Sequence, residues 1–102
     1  MIKYNFEKKN FVVTGAGKGI GRSVLNLLYK SNANVAIITR SKADIKKIQK
    51  TFNSKKIITY VGDVSIKSDI DNFFKLVKSK MKKIHGIVNN AGVRQREKFS
   101  NI

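Results

Sequence analysis

Residues 14–22 read TGAGKGIGR, which places Gly15, Gly17, Gly19 and Gly21 within seven positions of a chain that has 7 glycines in all. Glycine loses more backbone freedom on folding than any other residue, so such a cluster marks a place where side chains would be in the way. Its flanks decide the reading. Residues 10–14, NFVVT, are a short apolar run of the buried-strand kind. From Ile20 the period changes, and Ile20, Val24, Leu25 and Leu28 share one helical face. A buried strand that enters a tight glycine turn and leaves as a helix restricts the chain to a few α/β architectures. The free N–H groups and positive dipole end at the start of that helix suit a pyrophosphate.

The alternation continues along the chain. SNAN, 31–34, breaks the first helix, and VAIIT, 35–39, is a second all-apolar strand. Ser41 is expected to cap the next helix, with Asp44 at capping-box spacing, and that helix turns Ile45, Ile48 and Phe52 inward. IITYV, 57–61, is a third strand. Ser65 is expected to cap a long helix whose stripe runs Ile66, Ile70, Phe73, Phe74, Val77, Met81 and Ile84 at period 3.6. GIVNN, 86–90, is a fourth strand, and residues 91–102 form a polar tail. The order β-α-β-α-β-α-β, with strands apolar on both faces, implies a parallel sheet covered on both sides by right-handed crossovers.

Composition bounds the function. A chain of 102 residues without linker, repeat or low-complexity tract is read as one domain, 1–102, small for a complete α/β enzyme. With no cysteine there is no disulfide, thiolate metal site or Cys nucleophile, and one histidine with six acids leaves little for a metal. The N-terminus has no apolar signal core, and no run approaches a membrane span, so the expected setting is cytoplasmic, with no membrane partner. A net charge of +16 suggests nucleic acid when taken alone. However, Lys, Asn and Ile supply 41 of the 102 residues, the skew that A/T-rich codons produce. The lysines also read as scattered over solvent faces with no aromatic ladder between them, so no nucleic-acid partner is expected.

The glycine spacing is T-G-x-x-x-G-x-G from Thr14, not G-x-G-x-x-G. It resembles the short-chain dehydrogenase/reductase family. Asp63–Val64 after the third strand and NNAG, Asn89 to Gly92, at the end of the fourth agree with that resemblance in order and spacing. The resemblance runs from about Asn10 to the end of the chain. It implies the N-terminal part of a Rossmann-like doubly wound sheet, order 3-2-1-4, that binds NAD or NADP. Within the family the loop is similar to those of carbonyl, xylulose and 3-oxoacyl reductases. The cofactor contacts it implies are Gly15, Ala16, Gly17, Lys18, Gly19, Ile20 and Gly21 in the loop. Thr39, Arg40 and Ser41 follow the second strand, Asp63 and Val64 the third, and Asn90, Ala91 and Gly92 the fourth.

Members that use NAD carry an acid at the end of the second strand, for the adenosine ribose hydroxyls. Here Thr39 stands there, no acid occurs between Glu7 and Asp44, and Arg40 follows. A guanidinium can hold a phosphate through two parallel hydrogen bonds, and Lys18 resembles the second basic residue of NADP-preferring members. NADP over NAD is therefore the expectation. The family's catalytic Ser and Tyr-x-x-x-Lys lie downstream of NNAG, and this sequence ends ten residues after Gly92, so the chain is expected to carry the cofactor half only and no catalytic residue. Tyr4 and Lys8 have the Tyr-x-x-x-Lys spacing but precede the first strand, the wrong place in the fold. His85 starts the fourth strand, far from the glycine loop, and reads as structural. The parent reaction would be hydride transfer between NADPH and a small carbonyl or alcohol substrate, in a homo-oligomer. The alternatives are a stand-alone NADP-binding module without chemistry and, behind it, a basic nucleic-acid binder.

Overall fold

The computed structural model describes residues 5–16, 19–53 and 55–90. It contains strands β1 (Asn10–Thr14), β2 (Asn34–Thr39), β3 (Ile57–Val61) and β4 (Gly86–Asn89), with helices α1 (Gly19–Lys30), α2 (Lys42–Thr51) and α3 (Lys67–Lys80) between them. The four strands are parallel, in the order β3-β2-β1-β4. Asn10 pairs with Asn34, Phe11 with Gly86, and Val35 with Ile57.

Both sheet faces are apolar because both are covered. On one face Val13, Val35, Ile37 and Ile57 meet Leu25 and Leu28 of α1 and Ile45 and Ile48 of α2. On the other, Val12, Ala36 and Ile38 meet Phe73 and Val77 of α3 and Met81 just past it. Among the described residues α3 alone covers that second face. It leaves Ile87 of β4, in register with Val12, 56% exposed. Phe52 pins α1 to α2: its ring meets Tyr29 edge-on at 4.8 Å and lies 5.1 Å below the Arg22 guanidinium.

Two helix starts test the capping expectations. Ser41 is the N-cap of α2, accepting from the Asp44 N–H at 3.1 Å. Ser41→Ala should cost about 1 kcal/mol in chemical denaturation, the usual worth of such a cap; a loss below about 0.3 kcal/mol would mean that water replaces it. Ser65, by contrast, does not cap α3. The cap is Ile66, which has no side-chain hydrogen bond. The Ser65 hydroxyl and N–H are both spent on Asp63 Oδ1, at 2.7 and 2.9 Å.

The apolar stripes also overreach the helices. Ile66 is exposed, while Met81 and Ile84 lie past the end of α3 yet still pack against it. Phe52 likewise caps α2 rather than belonging to it. Asn34, read as part of the helix break, opens β2, and Asn90 falls just beyond β4.

Ile20 contradicts its expected place on the buried face of α1, being 71% exposed. The face of α1 that turns inward runs through Gly21, Leu25 and Leu28. At about 100° per residue, Ile20 lies roughly 140° from Leu25 around the helix.

Candidate functional site

Parallel strands bring their C-terminal ends to one side of the sheet. There the structure gathers the loop after β1, Thr39–Arg40 after β2, Asp63–Val64 after β3 and Asn89–Asn90 at β4. The chain leaves β1 toward β2 on one side, while β4 pairs on the other. This reversal opens the crevice in which ligands of doubly wound sheets sit.

The β1 turn is held from both neighbouring strands. Gly15 N–H donates to Ile38 O at 2.9 Å, extending the β2 ladder past the strand end. Thr14 Oγ1 donates to Asn89 Oδ1 at 3.0 Å, and Asn90 Nδ2 donates to Gly15 O at 3.0 Å. Gly15 and Gly19 have φ of 67° and 60°, in the region that favours glycine. Among the described residues a Cβ on Gly19 would meet nothing within 4 Å, so the space beside this residue is open. A Cβ on Gly21 would lie 2.2 Å from Gly15 O. Gly21 therefore lets the helix close onto the turn, and Gly19 keeps the mouth clear. A diphosphate fits such a cradle: open space, a helix N-terminus, and backbone instead of side chains. Ala16 is fully buried beneath it, and the exposed Ile20 stands at its rim. Gly17, Lys18, Ala91 and Gly92, also expected at this site, lie outside the described residues.

The ends of β2 and β3 share one feature the sequence reading missed. Arg40 is exposed, with a side chain 76% accessible, and its Nη1 lies 3.9 Å from Asp63 Oδ2. Asp63 is itself fixed in place. Its N–H donates to Asp69 Oδ2 at 2.8 Å, and its Oδ1 accepts both bonds from Ser65. The Asp-x-Ser spacing is an Asx turn, a signal available in the sequence. The Ser65 hydroxyl, then the Ser65 N–H, and more weakly the Arg40 charge hold the Asp63 carboxyl below its ordinary range. A depressed carboxylate favours the fold above its unfolded value, and that contribution fades as pH falls through the lower folded one. Ser65→Ala, which removes the hydroxyl bond and keeps the N–H bond, should therefore raise the Asp63 pKa in a carboxyl NMR titration; an unchanged midpoint would mean that solvent replaces the hydroxyl.

Thr39 ends β2 half-buried, its carbonyl accepting from Gly62 N at 3.0 Å. The Ser41 oxygen is used by Asp44 N, which leaves its O–H free to donate. Val64 is half-buried, packed against the α3-side core. Lys8 and His85 lie at the opposite end of the sheet. Lys8 precedes β1, Tyr4 is outside the described residues, and His85 Nδ1 accepts from Asn10 N at 2.9 Å. Among the described residues no three His, Cys, Asp or Glu side chains gather as a metal site. No helix there is long and apolar enough to cross a membrane.

The family model for short chain dehydrogenases matches residues 9–102. The chain belongs to that family. L-xylulose reductase of Caenorhabditis elegans is 39% identical over 92 residues, covering 88% of this chain and 36% of the reductase. An uncharacterized oxidoreductase of Staphylococcus epidermidis is 32% identical over 87 residues, covering 84% of this chain and 37% of that protein. Among solved structures, a short-chain glucose/ribitol dehydrogenase from Brucella melitensis superposes with a TM-score of 0.78 at 26% identity, over 84% of this chain and 37% of the other. A 3-ketoacyl-(acyl-carrier-protein) reductase from Brucella melitensis, solved with NADH, gives 0.75 at 26% identity over 81% of this chain and 34% of the other. The chain thus spans little more than a third of the relatives it matches. The family is one of oxidoreductases that bind NAD(P) and act on small molecules.

Proposed function

We propose that the chain is the NADP(H)-binding portion of a short-chain reductase that moves hydride between NADPH and a small carbonyl or alcohol. The observation that carries the cofactor preference is the end of β2: Thr39 in place of an acid, followed by an exposed Arg40. In this reading Gly15, Ala16, Gly17, Lys18, Gly19, Ile20 and Gly21 take the diphosphate. Arg40, with Lys18 and the Ser41 O–H, takes the 2′-phosphate. Asp63 and Val64 border the adenine, and Asn90, Ala91 and Gly92 line the nicotinamide-side ribose.

NADPH, when bound, supplies the hydride. The chain's own residues bind and orient it; no Tyr follows Tyr60 in the sequence, so proton transfer to the carbonyl falls to residues outside these 102, and the chain alone is inactive. A cytoplasmic setting, a homo-oligomeric whole enzyme and a single-domain reading of residues 1–102 belong to the same proposal.

The cofactor complex of the 3-ketoacyl reductase contains NADH, so the two nucleotides must be compared directly. Fluorescence titration should give an NADPH dissociation constant at least tenfold below that for NADH, the worth of about one charge-assisted hydrogen bond. Equal constants, or tighter NADH, would overturn the preference.

A further inference from the structure

The other end of the sheet carries a second feature, independent of the cofactor reading. A groove of about 410 Å³ opens there, lined by Asn10, Asn34, Lys55, Lys56, Ile58, Lys80 and Met81. That volume lies within the range of about 300–1,000 Å³ usual for small-ligand sites. Ile58 and Met81 make its apolar floor. Its polar wall is preset: Asn34 Nδ2 donates to Asn10 Oδ1 at 3.0 Å, and Asn10 Nδ2 donates to Lys83 O at 2.8 Å. One hydrogen of Asn34 Nδ2 remains available to a ligand. Three ammonium groups stand around this wall, and none has a carboxylate within ion-pair distance among the described residues.

The fold sorts the charge as well. All three helices run away from the cofactor end, so Lys30, Lys50, Lys78 and Lys80 in their last turns fall at the groove end. The pairs 8–9, 55–56 and 82–83 precede β1, β3 and β4 at that same end. Glu7 is the one acid placed there among the described residues, whereas Asp44, Asp63, Asp69 and Asp71 lie at the cofactor end. The lysines that read as scattered in the sequence are thus gathered by the topology. Lysines in a last helical turn complement the helix dipole. Lys55 and Lys56 lie past that turn, in the loop into β3, and among the described residues Lys56 Nζ reaches only the Asn32 carbonyl, at 3.4 Å.

We propose that this groove is a second anion site, distinct from the glycine loop, that takes a small ligand carrying a linear phosphate chain. Adjacent phosphates present the closely spaced negative charge that three unpaired ammonium groups and an amide donor match. Five to six residues of strand separate it from the loop end, roughly 16–20 Å.

Inorganic tripolyphosphate and ATP, titrated separately into the protein, distinguish a free chain from one carried by a nucleoside. Binding is read from the side-chain amide resonances of Asn10 and Asn34. For at least one of them, the triple variant Lys55→Gln, Lys56→Gln, Lys80→Gln should weaken the response tenfold or more. The control Lys46→Gln, Lys47→Gln, Lys75→Gln, on exposed helix surface, should stay within twofold. The proposal is overturned if neither ligand moves those two resonances, if the groove variant binds within twofold of wild type, or if the control loses as much.

Discussion

Gly21→Ala is expected to destabilise the fold by about 3 kcal/mol, the upper part of the range for overpacking. The new methyl would sit 2.2 Å from the Gly15 carbonyl oxygen and 2.7 Å from Asn90 Nδ2. Neither neighbour can give way cheaply. Gly15 is backbone, tied to β2 through Ile38 O, and Asn90 Nδ2 is already hydrogen-bonded to the crowded oxygen. The helix must then tilt off β1, loosening Leu25 and Leu28, or the Asn90 bond must break. At about 4–8 °C per kcal/mol for a domain near this size, the midpoint should fall by roughly 12–24 °C.

Two other glycines calibrate the effect. Gly86→Ala meets only the edge of the Phe11 ring, at 2.9 Å, and a side chain can turn. Gly19→Ala meets nothing but carries a φ of 60°, worth about 1–2 kcal/mol for a residue with a Cβ. Gly21→Ala should thus be the most damaging of the three in urea denaturation. If it loses less than Gly19→Ala, the close approach of helix and turn is not what that glycine serves.

The elements and their order are legible because apolar runs and stripes report burial directly. All four strands fall within one residue of their expected bounds. What periodicity does not report is where the helical backbone stops. Met81 and Ile84 keep the α3 spacing and pack as expected, yet Met81 is already extended, with φ of −121°. Burial continues past the helix because the chain returns under the same sheet face. Ile20 fails for the converse reason: the inward face of α1 is set by the contact of Gly21 with Gly15, and spacing alone cannot see a glycine as a core position. At the site, the glycine turn and the basic residue after β2 lie in consecutive sequence and could be read. The Asn90–Gly15 and Arg40–Asp63 contacts join separate strand ends, so they exist only once the register of the sheet is given.

Arg40 carries the second large prediction. In the structure its guanidinium has a single charged neighbour among the described residues, Asp63, at 3.9 Å, too far for a good hydrogen bond. Asp63 is already held by Ser65 through its other oxygen, so the pair tethers Arg40 at the C-terminal end of the sheet without saturating its donors. A dianionic phosphate would outcompete that contact through two parallel, charge-assisted bonds. Arg40→Asp, with Thr39→Asp added to restore an acid at the end of β2, removes those bonds and sets a carboxylate against the phosphate. At about 1.5–3 kcal/mol for a hydrogen bond to a charged group, the NADPH dissociation constant should rise on the order of 100-fold. NADH has no 2′-phosphate and offers free ribose hydroxyls to the new acid, so its affinity should hold or improve. The ratio of the two constants should therefore invert, and the NADPH constant should lose most of its salt dependence. Asp63→Asn separates tethering from attraction. If the tether matters it weakens NADPH despite removing a negative charge; if only net charge matters it strengthens it. An unchanged NADPH constant in the Thr39→Asp, Arg40→Asp variant would remove the end of β2 from cofactor selection altogether.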